Sequence, residues 1–415
     1  MRIFKLELKR VLNTRMTWIL LALSLFLSVW MAYLPTTFSD ISYTDENGDQ
    51  VELTGLDSLH YRKTIQADTA GEVTPDKIHK ALEAYQACLE EYGVEDIYEL
   101  PENVYIKRLL PYVPLMHGVK EAYANPDTGI APSILDIPLD KTDDFYAACD
   151  DRIVSLMKME QRDHPAAQKK AVKMYQQVEK PFVNYPGASS EAMDYLLTLS
   201  FLILLFCTMI AAPVFSSDYQ TGADDILRCT KYGRIRLGVV KTASALGICG
   251  IAFLFCAAVY LIVSNSLFGW ECTKTSMQIL YSIVGLADLN MGQLQLLTAA
   301  AGLLSLLASV SFTLFISSRA QNTLMSIAVS LFFCFLPVVI YMMIPGTVEL
   351  WLRCLLPAAG LGLQSSFLYT VIDFDFLNIG NFAVWMPYAM IAFTVIEIPL
   401  FIGLTLHSYS SRRMR

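Results

Sequence analysis

Six long runs free of charge, or nearly so, constrain this chain more than any other feature of its sequence. They cover residues 16–34, 195–216, 242–264, 294–316, 323–344 and 383–407, and only the last holds a formally charged residue, Glu397. Each is long enough to cross a hydrocarbon core of about 30 Å as a helix. Lipid offers no hydrogen-bond partners, so such a run must close its own backbone bonds, which a helix does. The expectation is an all-α polytopic membrane protein with six transmembrane helices. Composition agrees: 54% of residues are hydrophobic, 17% are charged and the mean hydropathy is +0.43, too apolar for an ordinary soluble protein. Arg2, Lys5, Lys9 and Arg10 precede the first run as they would in a signal peptide. The run is too long for one, however, and no small-residue cleavage site follows it.

Basic residues in short loops fix the orientation of such a chain. Residues 1–15 carry five Lys or Arg, residues 217–241 carry five, Arg319 stands in the link to the fifth run, and Arg412, Arg413 and Arg415 close the chain. The opposite short loops, 265–293 and 345–382, carry only Lys274 and Arg353. Both termini are therefore expected in the cytoplasm, with the basic tail 408–415 on that side. Residues 355–372 are free of charge and tempt a seventh span, which would place the tail outside. Pro357, Gly360, Gly362, Gln364, Ser365 and Ser366 favour instead a broken, re-entrant hairpin within 345–382.

Residues 36–190 are the one sizeable soluble region, expected as a mainly helical extracellular insertion domain. They hold 27 acidic and 15 basic residues, and their length suffices for a core. Ile41, Tyr43, Val51 and Leu53 alternate around Asp45-Glu46-Asn47-Gly48, the pattern of a β-hairpin. Thr74-Pro75-Asp76 opens a helix whose apolar face is Ile78, Leu82, Tyr85 and Leu89. A second helical tract spans 143–180, interrupted at His164-Pro165. Cys88 and Cys149 both fall in this region, and an oxidising space would permit a disulfide; the cysteines inside the runs read as small apolar fillers.

The sequence holds no phosphate-binding loop and no His, Cys and carboxylate spacing suited to metal or nucleophilic catalysis. The five His are isolated and read as surface or packing residues. No catalytic residue is assigned, and the chain is not expected to be an enzyme. Within residues 1–15, Phe4, Leu8, Val11 and Leu12 recur at helical spacing among Lys5, Lys9 and Arg10. That is an amphipathic interfacial helix; the plain alternative is an extension of the first span. Glu397 lies near the middle of the sixth run, beside Pro399. A central charge costs about 3 kcal/mol on insertion scales. It must be protonated, hydrogen-bonded or turned to a polar cavity. Two readings stay open: a group on a transport path, or a neutral Glu bonded to a neighbouring helix.

Between the second and third runs the sequence gives Asp218, Gly222, Asp224, Asp225, Ile226, Leu227, Arg228, Lys231 and Arg234. This resembles the first cytoplasmic loop of the ATP-binding cassette (ABC) type-2 permease family, with Lys231-Tyr232-Gly233 where Pro-Ser is usual. The basic amphipathic N-terminus, the six runs and the hairpin before the last one are similar too, so the resemblance covers about 1–35 and 191–415. The insertion domain resembles those of permeases from low-GC Gram-positive bacteria. The resemblance implies the transmembrane subunit of an exporter in a bacterial cytoplasmic membrane, moving a lipid-like, peptide or drug-like cargo by alternating access. It implies cytoplasmic ABC ATPase subunits docking on loop 217–241, with ATP and Mg bound in that partner and no cofactor in this chain. A second permease copy or a homologue completes the pore, and no nucleic acid is involved. Rival readings are a receptor with a ligand-binding ectodomain, which lacks an output domain here, and an ion exporter using Glu397.

Overall fold

A computed structural model describes residues 2–411 except 45–47, 231–232 and 345. Among them are six helices long and apolar enough to span a membrane: Arg15–Phe38, Ser190–Thr221, Ile235–Phe268, Met291–Arg319, Thr323–Met343 and Met386–Ser411. The fold is the expected all-α polytopic one. Six crossings leave both termini on one side, called here the terminal side, and residues 36–190 on the other, the insertion side.

Helix α1 (Arg2–Leu12) ends with Lys9 and Arg10 in its last turn, where its dipole favours cations. Lys5 and Lys9 are exposed, while Leu8 and Leu12 pack on the core. After Thr14, α2 (Arg15–Tyr33) buries Thr17, Leu20, Ser24, Ser28 and Ala32, a stripe of mostly small residues along one face. Ser24 and Ser28 return their hydroxyls to the carbonyls of Leu20 and Ser24 at 2.8 Å, so no polar group is stranded. Trp18, Ile19, Phe26 and Trp30 point the other way and are exposed, as a lipid-facing surface requires.

The insertion domain begins with strands β1 (Asp40–Thr44) and β2 (Gln50–Thr54). Ile41 pairs with Leu53 and Tyr43 with Val51, as the alternation demands; Asp45, Glu46 and Asn47 of the expected turn lie outside the described residues. Helix α3 (Gly55–Ile65) and the short strand β3 (Gly71–Glu72) follow. The Thr74 hydroxyl caps α4 (Pro75–Tyr92) by accepting from Lys77 N, and Ile78, Leu82, Tyr85 and Leu89 are buried. Helices α5 (Val113–Ala122), α6 (Phe145–Glu160) and α7 (Pro165–Tyr175) complete the domain, with the break between α6 and α7 falling at His164-Pro165. Strand β4 (Val183–Asn184) pairs with β3 and leads to the second span. Cys88 and Cys149 are buried free thiols, and burial pushes Cys149 up to about 12.

The second span is α8 (Ser190–Ala211) followed by α9 (Pro213–Thr221), then the short α10 (Ala223–Arg228). Helices α11 (Ile235–Phe268), α12 (Met291–Arg319) and α13 (Thr323–Met343) are the next three spans. A buried reciprocal amide pair, Asn265 with Gln295 at 3.0 Å both ways, joins α11 to α12. Beyond α14 (Thr347–Cys354) the chain does not form a seventh span. It breaks into turns Ala359–Leu361 and Leu363–Ser365 and then α15 (Phe367–Ile372). Ala301 and Ser305 of α12 make room for that broken piece: a side chain at Gly360 would collide with the Ser305 hydroxyl. A hairpin of β5 (Phe376–Ile379) and β6 (Phe382–Trp385) then runs straight into α16 (Met386–Ser411).

The core of residues 36–190 does not close on itself. Ile283 and Val284, from the loop before α12, are fully buried in the continuous core. Glu121 of α5 accepts from the Ser282 hydroxyl (2.6 Å) and Ile283 N (2.8 Å), and the Tyr175 hydroxyl donates to Ile283 O (3.2 Å). Gly118 leaves the space Ile283 fills, since a Cβ there would stand 2.9 Å from its Cδ1. On the same side, Gln161 Nε2 donates to Phe374 O (3.1 Å) and Lys170 Nζ to Ala383 O (2.9 Å). Residues 36–190 expressed alone are therefore expected to melt cooperatively but at lower temperature than the same segment fused to 275–291. Losing a buried Ile alone costs about 2–5 kcal/mol, and thermal circular dichroism of the two proteins checks the difference. Equal midpoints would show that the loop contributes nothing.

Candidate functional site

On the terminal side the sequence breaks its own second span. Pro213 lacks an amide hydrogen and cannot continue a helix without loss, and the helical run is interrupted at Ala212 between α8 and α9. Inside a membrane the freed backbone groups need other partners. Ala212 O accepts from the hydroxyls of Ser317 (2.6 Å) on α12 and Ser326 (3.0 Å) on α13. Ser317 Oγ in turn accepts from Phe215 N (3.1 Å) and Ser216 N (3.0 Å).

One turn further, Val214 O accepts from Arg10 Nη2 at 3.1 Å and Lys241 Nζ at 3.5 Å. The same two cations converge on Asp218: Arg10 Nη1 lies 2.8 Å from Oδ1, and Lys241 Nζ pairs with Oδ2. Glu7 meets Arg10 Nε at 2.9 Å. The Lys241 side chain is wholly buried and that of Asp218 is 9% exposed. Two carboxylates thus balance two cations, the condition under which buried charge survives. The cluster ties α1, α9 and α11 together. Asp218, grouped by resemblance with the ATPase-coupling residues, sits in this anchor rather than on an exposed surface.

The rest of the predicted loop does reach the surface. Gly222 ends α9 with φ +70°, a left-handed conformation that glycine adopts without strain. In α10, Asp224 and Asp225 are half-buried in the first turn, Leu227 is half-buried and Ile226 is 75% exposed. Arg234 is exposed at the start of α11; the Arg228 side chain and Lys231 lie outside the described residues. The loop is held at both ends: Thr323 N donates to Gln220 Oε1 (3.3 Å), and the Tyr409 hydroxyl at the end of α16 donates to Gly233 O (3.1 Å).

Glu397 is remote from this loop, midway along α16. It is 7% exposed, and its Oε2 is buried without a hydrogen-bond partner. Helix α16 continues through Pro399. Among the described residues no His, Cys and carboxylate group could hold a metal ion. His79 packs, its Nδ1 lying 3.0 Å from Thr142 Oγ1.

A second ionic cluster stands on the insertion side. Arg353 of α14 is 1% exposed, with Nε 2.9 Å from Glu349 Oε1 and Nη2 3.2 Å from Asp375 Oδ2. Burial raises the carboxyls of Glu349 and Asp375, and burial followed by repulsion from Asp375 pushes Asp373 up to about 6. Nothing in the sequence marked Arg10 and Lys241 as partners of Asp218 or Glu7 as the partner of Arg10, and Arg353 counted there only for topology. The available signal was a lone charge bordering a long apolar run, as Lys241 does.

A family model described as ABC-2 family transporter protein matches residues 1–410. Among curated proteins none matches the chain.

Removing the shared anion tests the anchor. Asp218→Ala strands a buried lysine and is expected to destabilise the folded chain by about 3–5 kcal/mol, read as a lower melting midpoint in detergent. Asp218→Ala combined with Lys241→Met should recover most of the loss. Equal midpoints for the single variant and the parent would show that the cluster holds nothing.

Proposed function

Because the chain belongs to the ABC-2 family of transporter proteins, we propose that it is the permease subunit of an exporter whose power stroke enters through α10. Membership makes it a multi-pass ABC transporter permease that associates with ABC ATPases. The match across residues 1–410, over all six spans, carries the reading. The finer assignments are as follows. The terminal side faces the cytoplasm of a bacterial cell and the insertion domain faces outward, as the bias of basic residues toward the terminal side favours. ATP and Mg bind in the partner, and a second permease copy or a homologue faces this one. Cargo crosses by alternating access.

Helix α10 is the docking element because it presents Ile226 at 75% exposure on a loop fixed at both ends. Buried aliphatic anchors dominate such contacts, while rim charges set register and encounter rate. Asp224, Asp225, Arg228, Lys231 and Arg234 are those rim groups. Asp218 has a different part: with Arg10 and Lys241 it joins the root of the docking loop to α1 and α11, so displacement of α10 is passed to the first and third spans. Glu397 lines the transport path, since a buried carboxylate oxygen with no partner has a vacancy that a polar cargo group fills.

Replacing Ile226 and Leu227 together with Asp is expected to abolish co-purification with the ATPase while leaving the permease inserted and folded. Undiminished co-purification and ATP hydrolysis would remove α10 from the coupling role. For Glu397, Gln should preserve folding and lower transport-coupled hydrolysis, whereas Lys should prevent accumulation of folded protein. Unchanged coupled hydrolysis in Glu397→Ala would end the path assignment.

A further inference from the structure

Two cavities open on the insertion side. One lies between the end of α6 and Arg353, whose guanidinium is already committed to Glu349 and Asp375. The other, of about 300 Å³, stands where the insertion domain meets the spans. Three span ends converge on it: Phe38 closes the first, Ser190 opens the second and Phe268 closes the third. Leu59 of α3, with Ile279 and Leu280 from the loop before α12, completes its apolar side. Phe38 and, just beyond Phe268, Trp270 are 61% and 57% exposed, as aromatic residues at a bilayer surface are.

Arg62 of α3 lines the same cavity. Its Nε is buried without a partner, whereas its two terminal nitrogens reach open space, and among the described residues the guanidinium has neither an ion pair nor a hydrogen bond. Lys63 beside it is half-buried and likewise has no ion pair among the described residues; Gly187 on the cavity wall leaves the space its side chain occupies, since a Cβ there would collide with it. Ser189 and Ser190 bring the start of α8, the positive end of its dipole, to the cavity. Glu191 is the one acid on the wall, and it is exposed and pairs with neither cation.

The two halves of the wall select a ligand between them. A soluble anion satisfies Arg62 and leaves the apolar half wet. An uncharged amphiphile covers the apolar half and leaves a half-buried guanidinium without an acceptor, which is costly. A choline headgroup adds a third cation to Arg62 and Lys63. An anionic phosphate on an acyl frame answers both halves, because a guanidinium fork matches phosphate oxygens. The volume is at the small end of ligand pockets, so it takes a headgroup and the upper part of its chains and leaves the tails in the bilayer.

We propose that this cavity binds the headgroup of an anionic phospholipid, its phosphate oxygens accepting from Arg62 Nη1 and Nη2 and its upper chains lying against Phe38, Leu59 and Phe268. The site goes beyond the docking loop and the Glu397 path and depends on neither. It stands on the span ends and on the unpaired Arg62.

The test uses the full chain in nonionic detergent, stripped of co-purified lipid and titrated with dioleoyl phosphatidylglycerol under native mass spectrometry. One lipid should bind saturably and ahead of any others. Dioleoyl phosphatidylcholine should bind the parent chain about tenfold more weakly, a comparison independent of any variant's folding. Arg62→Gln should weaken the first phosphatidylglycerol by about tenfold, whereas Arg162→Gln, the same substitution at an exposed arginine of the insertion domain, should not. Glycerol 3-phosphate in excess should fail to displace the lipid. Equal affinity for the two lipids, or equal weakening by the two variants, overturns the site. Displacement by glycerol 3-phosphate overturns the lipid assignment, because it shows that the cavity takes the headgroup alone.

Discussion

A carbonyl or amide that loses its helical partner inside a bilayer can turn only to another part of the same protein, and the helix interruption at Ala212-Pro213 imposes that demand toward the end of the second span. The answers come from separate parts of the chain: Ser317 and Ser326 serve Ala212, and Arg10 and Lys241 serve Val214 and then Asp218. Each answer fixes a helix. The fourth and fifth spans must approach α8 closely enough for a hydroxyl to reach, α1 must bring Arg10 to Asp218, and α11 must begin with its lysine turned inward. The position of α10, and of the surface around Ile226, follows from these.

The two ends of the bundle handle charge in opposite ways. Near Asp218 acids and bases match, with Lys241 and Asp218 buried and Arg10 reaching the surface. Near Arg353 the acids outnumber the base, and a cavity separates them from the insertion domain. A balanced cluster with a buried pair at its centre is a joint, because separating Lys241 from Asp218 leaves unpaired charge in low dielectric. The small-residue face of α12 lets the broken segment around Gly360 sink against Ser305.

What was legible in the sequence is what local chemistry decides. Uncharged length set the six spans. Thr74-Pro75 opened a helix, His164-Pro165 separated two, and the alternation of Ile41, Tyr43, Val51 and Leu53 gave both the hairpin and its register. Residues 355–372 were rightly denied a seventh crossing because their Gly, Pro and Ser content forbids a continuous helix. The site was harder. Glu397 stood out as a charge within an apolar run, and Ile226 as an aliphatic residue in a polar loop. The partners of Asp218 did not, since Arg10 is 208 positions away and nothing in either neighbourhood names the other. The same holds for the burial of Ile283 beneath α5. Long-range pairings are made by packing, and no spacing rule within one element reports them.

The junction between β6 and α16 has a mechanical consequence. Trp385 closes the strand and Met386 opens the helix, with no residue between to absorb a twist. Lys170 of the insertion domain grips that strand at Ala383, and Gln161 grips the chain just before β5 at Phe374. The last span therefore has a gear at its insertion-side end: any rotation of α16 would load α7 through the Lys170–Ala383 bond. A hand placed on the insertion domain, whether a ligand or an antibody, would act as a brake on the spans below.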